Sequence, residues 1–308
     1  MASVTVRVPA TSANLGSGYD SFGLALALHN TVSAELSLSG EWHVQVLGEG
    51  ENDEAVRRDN RVVEAMVRLF AEAGRPDEAA HVFCRNDVPI GRGLGSSSAA
   101  LVGGLVAANE LMGAPFGPPD IFRMAAELEG HPDNVAAALS GGFTMCWRDR
   151  SFAFARIEPA AGLAAVCVVS DEPLSTSKAR ELLPAAVPHE DAAFNVGRAG
   201  LLTAGIALGR ADLIGPGMRD RLHEPYRLAA VPDLDTVAEA LVIAGADGAA
   251  LSGSGPTVIG LVSAADDGAA VIRGIEVASR VAELLAHVPG RRTPFVVAVD
   301  RSGATLTG

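Results

Sequence analysis

The most informative segment of this chain is PIGRGLGSSSAA, at residues 89–100. Its alternating glycines allow a loop to present successive backbone N–H groups, and its serines begin a predicted helix at 96–112 that ends at Gly113. A helix N-terminus carries unpaired N–H groups and about half of a positive elementary charge, so it favours an anion. The segment therefore predicts a phosphate-binding loop, and ordinary helix capping by serine is the alternative.

The spacing excludes two familiar phosphate motifs. No lysine follows the glycines, as a GxxxxGK[ST] loop requires, and Ser96 stands where a GxGxxG motif counted from Gly91 needs its last glycine. The segment is therefore neither a Walker loop nor a Rossmann fingerprint.

Two further glycine-rich segments flank it in the sequence. PATSANLGSGYDSFG at residues 9–23 follows a predicted strand and offers Asn14 and Asp20 to a polar substrate, although a surface turn is the alternative. AALSGSGPTV at residues 249–258 predicts a strand, a loop and a strand whose glycines permit close packing, and an ordinary hairpin is the alternative. Alone, either segment is a weak indication of function.

The rest of the chain mixes strands and helices without a regular βα repeat. Alternating apolar residues predict strands at 4–8, 42–46, 81–85, 143–147, 164–170, 249–251, 258–262 and 295–300. Helical spacing and end signals predict helices between 60 and 74 and at 96–112, 118–129, 175–183, 193–208, 235–245 and 268–286. We predict an α+β fold in two lobes, residues 1–160 and 161–308, with no order expected for residues 302–308.

Composition excludes several classes of partner. With 24 basic and 37 acidic side chains in 308 residues the formal charge is −13, which repels nucleic acids and anionic membranes. Uninterrupted apolar stretches such as residues 99–108 are far shorter than the roughly 20 residues of a membrane span. We therefore expect neither a nucleic acid nor a membrane as partner.

The N-terminus shows no secretory signal, so a cytoplasmic location is expected. The three cysteines are widely spaced, and we expect them to be buried rather than to bind zinc.

Together and in this order, the glycine-rich segments resemble the motifs of the GHMP kinases. The fuller matches resemble the homoserine kinases within that superfamily, over about residues 4–300. They are PATSANLGSGYDSFG at 9–23, PIGRGLGSSSA at 89–99, EGHPDNV at 129–135, LSTSKAR at 174–180, HEPYR at 223–227 and GAALSGSGPT at 248–257. Ser17 replaces a frequent proline and Tyr19 a frequent phenylalanine, and neither departure should alter the chemistry.

The resemblance implies a fold, a reaction and a nucleotide site. The fold would be the two-lobed GHMP kinase fold, with an N-terminal lobe like domain 2 of ribosomal protein S5 and a ferredoxin-like C-terminal lobe. The reaction would be ATP-dependent phosphorylation of the side-chain hydroxyl of L-homoserine, a step towards threonine. Mg²⁺ would bind Ser97 and Glu129, whose oxygen atoms suit a hard octahedral ion. ATP would bind the glycine–serine loop (residues 89–99), that is Pro89, Ile90, Gly91, Arg92, Gly93, Leu94, Gly95, Ser96, Ser97, Ser98 and Ala99, and Asn60, for which helix capping is an equal explanation.

For the acceptor, the resemblance implies two arginines and one carboxylate. Arg180 and Arg227 would bind the carboxylate of homoserine, since a guanidinium can meet it with two N–H groups, and Asp20 would bind the ammonium. The remaining contacts are expected from Asn14, His131, Asn134 and Thr176.

Asn134 occupies the segment in which mevalonate kinase-like relatives have an aspartate that is thought to take the hydroxyl proton. An amide cannot act as a base, so we predict direct attack by the acceptor hydroxyl, with Asn134 and Arg180 as the residues acting in catalysis. The neighbouring Asp133 is expected to fix the loop.

Two other functions remain open at this point. One is a GHMP kinase for a sugar or isoprenoid alcohol, although a neutral acceptor would leave Arg180, Arg227 and Asp20 without partners. The other is a non-catalytic nucleotide-binding regulator that keeps the fold. A homodimer is an expectation from the family.

Overall fold

The computed structural model describes residues 3–171, 176–231, 233–288 and 292–307, with the side chains of Thr176 and Arg292 excepted. These residues form two β-sheets, one of seven strands and one of four. The strands are β1 (Ser3–Ala13), β2 (Phe22–Leu36), β3 (His43–Gly48), β4 (Ala80–Asn86), β5 (Phe143–Arg148), β6 (Phe152–Ile157), β7 (Leu163–Ser170), β8 (Gly248–Leu251), β9 (Val258–Ser263), β10 (Arg292–Ala298) and β11 (Thr305–Leu306).

The helices follow the strands in an irregular order, as an α+β fold predicts. They are α1 (Glu54–Arg58), α2 (Arg61–Glu72), α3 (Ser96–Leu111), α4 (Pro118–Glu129), α5 (Asp133–Ser140), α6 (Thr176–Glu181), α7 (His189–Leu208), α8 (Ala211–Met218), α9 (Glu224–Leu228), α10 (Leu234–Ala244) and α11 (Asp267–Leu284). None of them, within the described ranges, combines the length and hydrophobicity of a bilayer span.

The first sheet has the order β11-β1-β2-β4-β3, with β5 beside β2 and β6 beside β5. Helices α2, α3, α4 and α5 contribute buried residues to the core that covers this sheet. Helix α3 is buried on most of its surface, and its Gly103 and Gly104 leave room for Val32 and for the backbone of α2. This packing fixes the N-terminus of α3 beside the end of β1.

The second sheet has the antiparallel order β10-β7-β9-β8, with α10 and α11 packed against it. The chain returns to the first sheet at its end, where Thr305 and Leu306 pair with Arg7 and Val6 of β1. The prediction that residues 302–308 lack order is therefore wrong for 302–307, because β1 supplies an edge that these few residues extend. The division of the chain at residue 160 stays a prediction.

The structure differs most from the predicted strands at β1 and β2. The first strand was predicted to stop at Pro9, but it continues to Ala13, with a shift of register between Pro9 and Ala10. The partner strand β2 was not predicted, nor were β6, α1, α5, α8, α9 and β11. Cys84, Cys146 and Cys167 are free and buried, as predicted.

Candidate active site

The glycine–serine loop joins β4 to α3 in a conformation that needs glycine. Gly93 and Gly95 have φ values of 80° and 69°, in the left-handed region that glycine tolerates best. A Cβ on Gly95 would lie 1.9 Å from Thr11 Oγ1, and one on Gly93 would lie 2.4 Å from the Ser252 carbonyl oxygen. The loop can therefore lie against β1 and the 248–257 segment only without side chains at these positions.

The third glycine-rich segment braces the other two. Ser252 Oγ lies 2.6 Å from the Gly93 carbonyl oxygen and 2.9 Å from Ser12 Oγ. The backbone N–H of Gly253 donates to the Ala13 carbonyl at 2.9 Å. Residues far apart in the sequence are thus joined at one point, which is the close packing that the glycines of this segment predict.

A cavity of about 110 Å³ lies where the three segments meet. One end is formed by the glycine–serine loop and the first turn of α3, and the other by polar side chains from both halves of the chain. The lining residues are Ala13, Asn14, Asp20, Pro89, Gly91, Gly93, Leu94, Gly95, Ser96, Ser97, Glu129, His131, Asp133, Asn134, Arg180, Arg227, Gly253 and Ser254.

Several predicted loop residues do not line this cavity: Ile90, Arg92, Ser98 and Ala99. Arg92 donates from Nη2 to the Asp171 carbonyl at 2.5 Å, and Ala99 is buried in the core. The Ser98 hydroxyl is committed to Glu129. These residues support the loop, and any nucleotide contact they make stays a prediction.

Glu129, the last residue of α4, is held beside the loop by two serines and one arginine. Its Oε2 accepts from Ser97 Oγ at 2.8 Å and from Arg61 Nη2 at 2.7 Å, and its Oε1 accepts from Ser98 Oγ at 2.9 Å. The Glu129 side chain is 8% exposed and that of Arg61 34%. Ser97 and Glu129 were predicted to lie together, whereas Arg61 was not predicted to join them.

This cluster suits a hard cation only as part of a larger ligand set. Ser97 and Glu129 supply oxygen donors, which Mg²⁺ prefers. Within the described ranges, no group of three or more His, Cys, Asp or Glu side chains is arranged to hold a metal ion. The remaining ligands would therefore have to be phosphate oxygens and water, so the residues fit a metal that arrives with a nucleotide.

Asn60 lies outside this cavity and caps α2. Its Oδ1 accepts from the N–H groups of Val62 and Val63 at 3.0 and 3.3 Å. It also lines a separate cavity of about 920 Å³, together with Trp42. Capping is thus the observed use of its side chain, and contact with adenine or ribose stays a prediction.

At the other end of the cavity, Asp20 and Arg180 pair with each other. Arg180 Nη2 lies 2.8 Å from Asp20 Oδ1 and Nη1 lies 3.0 Å from Oδ2. Burial lowers the pKa of Arg180, but the hydrogen bonds and charge of Asp20 raise it overall. The Asn14 side chain, by contrast, forms hydrogen bonds with backbone groups: it accepts from the Asp20 N–H and donates to the Gly253 carbonyl.

Arg227 is the largest fully buried side chain among the described residues, and part of it reaches the cavity. Its Nη1 lies 3.0 Å from His223 Nδ1, while His223 Nε2 lies 2.8 Å from the Gly16 carbonyl oxygen. Because arginine can only donate, Nδ1 accepts and Nε2 carries the proton of a neutral imidazole. Burial lowers the pKa of both Arg227 and His223. A buried cation that faces a cavity favours an anionic ligand there.

Asn134 is the second residue of α5 and lies beside both β1 and the glycine–serine loop. Its Oδ1 accepts from Thr11 Oγ1 at 2.8 Å. The adjacent Asp133 is buried, and its Oδ1 accepts from the Asn134 N–H at 2.7 Å and lies 3.3 Å from His131 Nδ1. Burial lowers the pKa of His131, but Asp133 raises it overall. These contacts agree with the expectation that Asp133 fixes this loop.

The structure thus brings most of the predicted acceptor residues to one cavity: Asn14, Asp20, His131, Asn134, Arg180 and Arg227. The Thr176 side chain lies outside the described part of the chain. Sequence reasoning missed Thr11, Arg61 and His223. Two of these had a signal, since Thr11 lies in PATSANLG and His223 precedes Arg227 by one helical turn in HEPYR. Arg61 had none.

Comparison with known proteins places both halves of the chain in one superfamily. Residues 60–142 match the family described as GHMP kinases N terminal domain, and residues 202–277 match GHMP kinases C terminal. A homoserine kinase from Moorella thermoacetica is 45% identical over 255 residues, which cover 82% of this chain and 86% of the relative. One from Desulfitobacterium hafniense is 38% identical over 98% of this chain and 99% of the relative.

Solved structures agree with these matches. The crystal structure of homoserine kinase from Cytophaga hutchinsonii is 27% identical, with a TM-score of 0.87 over 99% of this chain and 97% of that one. L. major mevalonate kinase, at 15% identity and a TM-score of 0.71 over 98% and 96% of the two chains, shares the fold. The predicted two-lobed GHMP kinase fold is confirmed.

Proposed function

Since the chain belongs to the homoserine kinase family of the GHMP kinases, we propose that its central cavity transfers the γ-phosphoryl group of ATP to the side-chain hydroxyl of L-homoserine. The product is O-phospho-L-homoserine, an intermediate on the way to threonine. One observation carries the proposal: the N-terminus of a long helix, a serine–glutamate pair and two arginines with an aspartate all face the same cavity.

The nucleotide end of the cavity suits phosphate groups. Helix α3 directs its free N–H groups at the glycine–serine loop, where negative charge is stabilised by the helix dipole. The net charge of −13 is no obstacle, because oriented N–H groups act at short range whereas the overall field is screened within about 10 Å. We assign the phosphates of ATP to Gly93, Gly95, Ser96 and Ser97.

Ser97 and Glu129 would hold Mg²⁺ together with phosphate oxygens and water. Bound there, the ion would neutralise charge on the transferred phosphoryl group. Ser98 orients Glu129 through the hydrogen bond to Oε1. The metal site that we propose thus has one carboxylate and one hydroxyl from the protein, and these two groups lie 2.8 Å apart.

The acceptor end suits an amino acid. Homoserine carries one carboxylate and one ammonium group, and the Arg180–Asp20 pair can exchange its internal contact for one contact to each. Arg227 supplies the second cation for the carboxylate from a buried, oriented position. A neutral acceptor would leave these charges without the partners that an amino acid brings.

Asn134 and Arg180 are the residues that we assign to catalysis. The Asn134 amide orients the attacking hydroxyl. Thr11 in turn fixes the amide by donating a hydrogen bond to Asn134 Oδ1. Arg180 holds the acceptor so that the hydroxyl points at the phosphate. Phosphoryl transfer through a loose transition state depends on alignment and charge neutralisation more than on a base, so direct attack by the hydroxyl is sufficient.

The proposal extends to the setting of the reaction. Dependence on ATP favours a cytoplasmic location. A homodimer stays a prediction.

The decisive experiment measures ADP release with acceptors that differ by one group. L-homoserine is compared with 4-hydroxybutanoate, which lacks the ammonium, and 3-aminopropan-1-ol, which lacks the carboxylate; serine, threonine, mevalonate and galactose complete the panel. We expect Mg²⁺-dependent ADP release with L-homoserine and a loss of at least about 100-fold in kcat/KM with either truncated acceptor. Equal turnover of mevalonate, or none of homoserine, would contradict the proposal.

A further inference from the structure

Arg61 occupies the place that a cation would take at the nucleotide end of the cavity. It is the first residue of α2, directly after the Asn60 cap. Its Nη2 lies 2.7 Å from Glu129 Oε2, and its Nε lies 3.2 Å from Ser97 Oγ. These two oxygen atoms are the ones that we assign to Mg²⁺.

Glu129 needs such a partner when no metal is bound. Its side chain is 8% exposed, and a carboxylate removed from water is stable only when paired and hydrogen-bonded. Two serine hydroxyls supply hydrogen bonds but no charge. A guanidinium keeps its charge in proteins, so Arg61 supplies the countercharge that the hydroxyls lack.

A second carboxylate lies ready to keep Arg61 paired if it leaves Glu129. Arg61 Nη1 donates to Glu64 Oε2 at 2.6 Å, one turn further along the same helix. The Glu64 side chain is 45% exposed, so it can hold the guanidinium at the surface at little cost in desolvation. Movement of Arg61 away from Glu129 therefore leaves neither charge unpaired, provided that a cation replaces it at Glu129.

We propose that Arg61 is the resident counter-cation of Glu129, and that it gives up this carboxylate and the Ser97 hydroxyl to the metal while keeping its contact with Glu64. This inference rests on the proposed role of Ser97 and Glu129. It makes Arg61 a positioning residue: it holds both ligands in place without metal and weakens binding of free metal by competing for the same oxygen atoms. Phosphate oxygens add ligands for the metal, so the nucleotide overcomes this competition.

The test measures the affinity of the nucleotide-free protein for Mn²⁺, which serves as a probe for Mg²⁺. Binding is detected by electron paramagnetic resonance. Arg61→Gln should bind Mn²⁺ about tenfold more tightly than the wild type, and its melting temperature should rise more on addition of Mg²⁺. Arg68→Gln is the matched control. Arg68 lies on the same helix, is 30% exposed, and also reaches α4, where it pairs with Glu127 at 3.4 Å. It should leave Mn²⁺ affinity unchanged.

The double variant Arg61→Gln/Glu129→Gln locates the effect. It should lose the tighter Mn²⁺ binding, and a double variant that keeps it would overturn the proposal. Arg61→Gln that binds Mn²⁺ no more tightly than the wild type, including the case in which neither binds measurably, would also overturn it. Homoserine-dependent ADP release by the wild type is measured separately, so failure of the Arg61 inference is distinguishable from failure of the kinase assignment.

Discussion

At the α3 end of the cavity, the backbone end, the groups that we propose to bind the ligand are N–H groups held by glycines. At the Arg180 end, the charged end, they are charged side chains held by other side chains. The glycine–serine loop is fixed by contacts that leave no room for a Cβ. Arg180 and Arg227 are fixed by Asp20 and His223. Recognition by backbone depends on dihedral angles, and recognition by side chains depends on charge. Substitutions at the two ends should therefore impair the enzyme in different ways.

Gly95→Ala should have the largest effect on activity, and it tests the backbone end. A Cβ there would lie 1.9 Å from Thr11 Oγ1, and the residue has a φ of 69°, which disfavours any side chain. The loop must move, so we expect kcat/KM for ATP to fall by at least about 100-fold, or about 2.7 kcal/mol. Steady-state kinetics with ATP as the varied substrate measure it.

The matched control is Gly113→Ala. Gly113 follows α3 at its other end with a φ of 80°, but nothing lies within 4 Å of a Cβ built there. It should lose about 1 kcal/mol of folding free energy from the left-handed conformation and retain its kcat/KM for ATP. If both alanine variants lost activity equally, backbone strain rather than the fit of the loop would be the cause.

Arg227→Gln tests the charged end and should have the next largest effect. It removes a cation that His223 aims into the cavity, so KM for homoserine should rise about 30-fold while KM for ATP stays within about twofold. Arg221→Gln is the control, because Arg221 is half exposed and faces Asp191 at 3.1 Å. An equal rise in both KM values for Arg227→Gln would show that the two ends do not act separately. Arg227→Lys, which keeps the charge, separates loss of binding from loss of folding.

The glycine–serine loop at the backbone end could be predicted from the sequence because the residues that determine it are neighbours in the chain. Alternating glycines followed by serines predict both the loop and the start of α3, and the structure has α3 at Ser96–Leu111. The predicted first strand is shorter than β1 because Pro9 lacks an N–H group and therefore indicates the end of a strand. Pro9 sits beside the register shift of the β1–β2 pair, where a missing donor is tolerated, and that pairing is invisible without the partner strand.

The β2 strand was missed for a related reason. Its first five residues, 22–26, are buried without alternation, so the period of two that marks a half-buried strand is absent there. Long-range contacts were also out of reach. Arg61 meets Glu129 across 68 positions, and Thr11 meets Asn134 across 123. Only the folded chain shows that these residues meet.

A third test concerns Glu224, a buried carboxyl group that follows His223 in the sequence. Burial raises the pKa of Glu224 to about 8, and its Oε1 accepts from the Leu251 N–H. Unfolded, a glutamate ionises near pH 4.3, so between about pH 4.3 and 8 the folded state binds one more proton than the unfolded state. Stability should therefore fall as pH rises through this window. Glu224→Gln stays neutral, so its free energy of unfolding should gain roughly 3.5 kcal/mol on the wild type between about pH 5 and 8 in urea titrations. Parallel pH curves for the two proteins would show that Glu224 ionises normally when folded.

The smallest effect is expected where the two ends meet, at Thr11. The Thr11 hydroxyl is buried and donates to Asn134 Oδ1 at 2.8 Å, so it orients the amide that we assign to the attacking hydroxyl. Thr11→Val keeps the volume and removes this bond, which should lower kcat about fivefold, or about 1 kcal/mol, without changing KM for ATP. Thr144→Val is the matched control, since Thr144 is equally buried but donates to the Gly23 carbonyl. Because each variant loses one buried hydroxyl, their stabilities should fall alike, and only the Thr11 variant should lose turnover. Equal kcat values for the two would mean that Asn134 keeps its orientation without Thr11, and that the β1 backbone alone aligns the charged end with the loop.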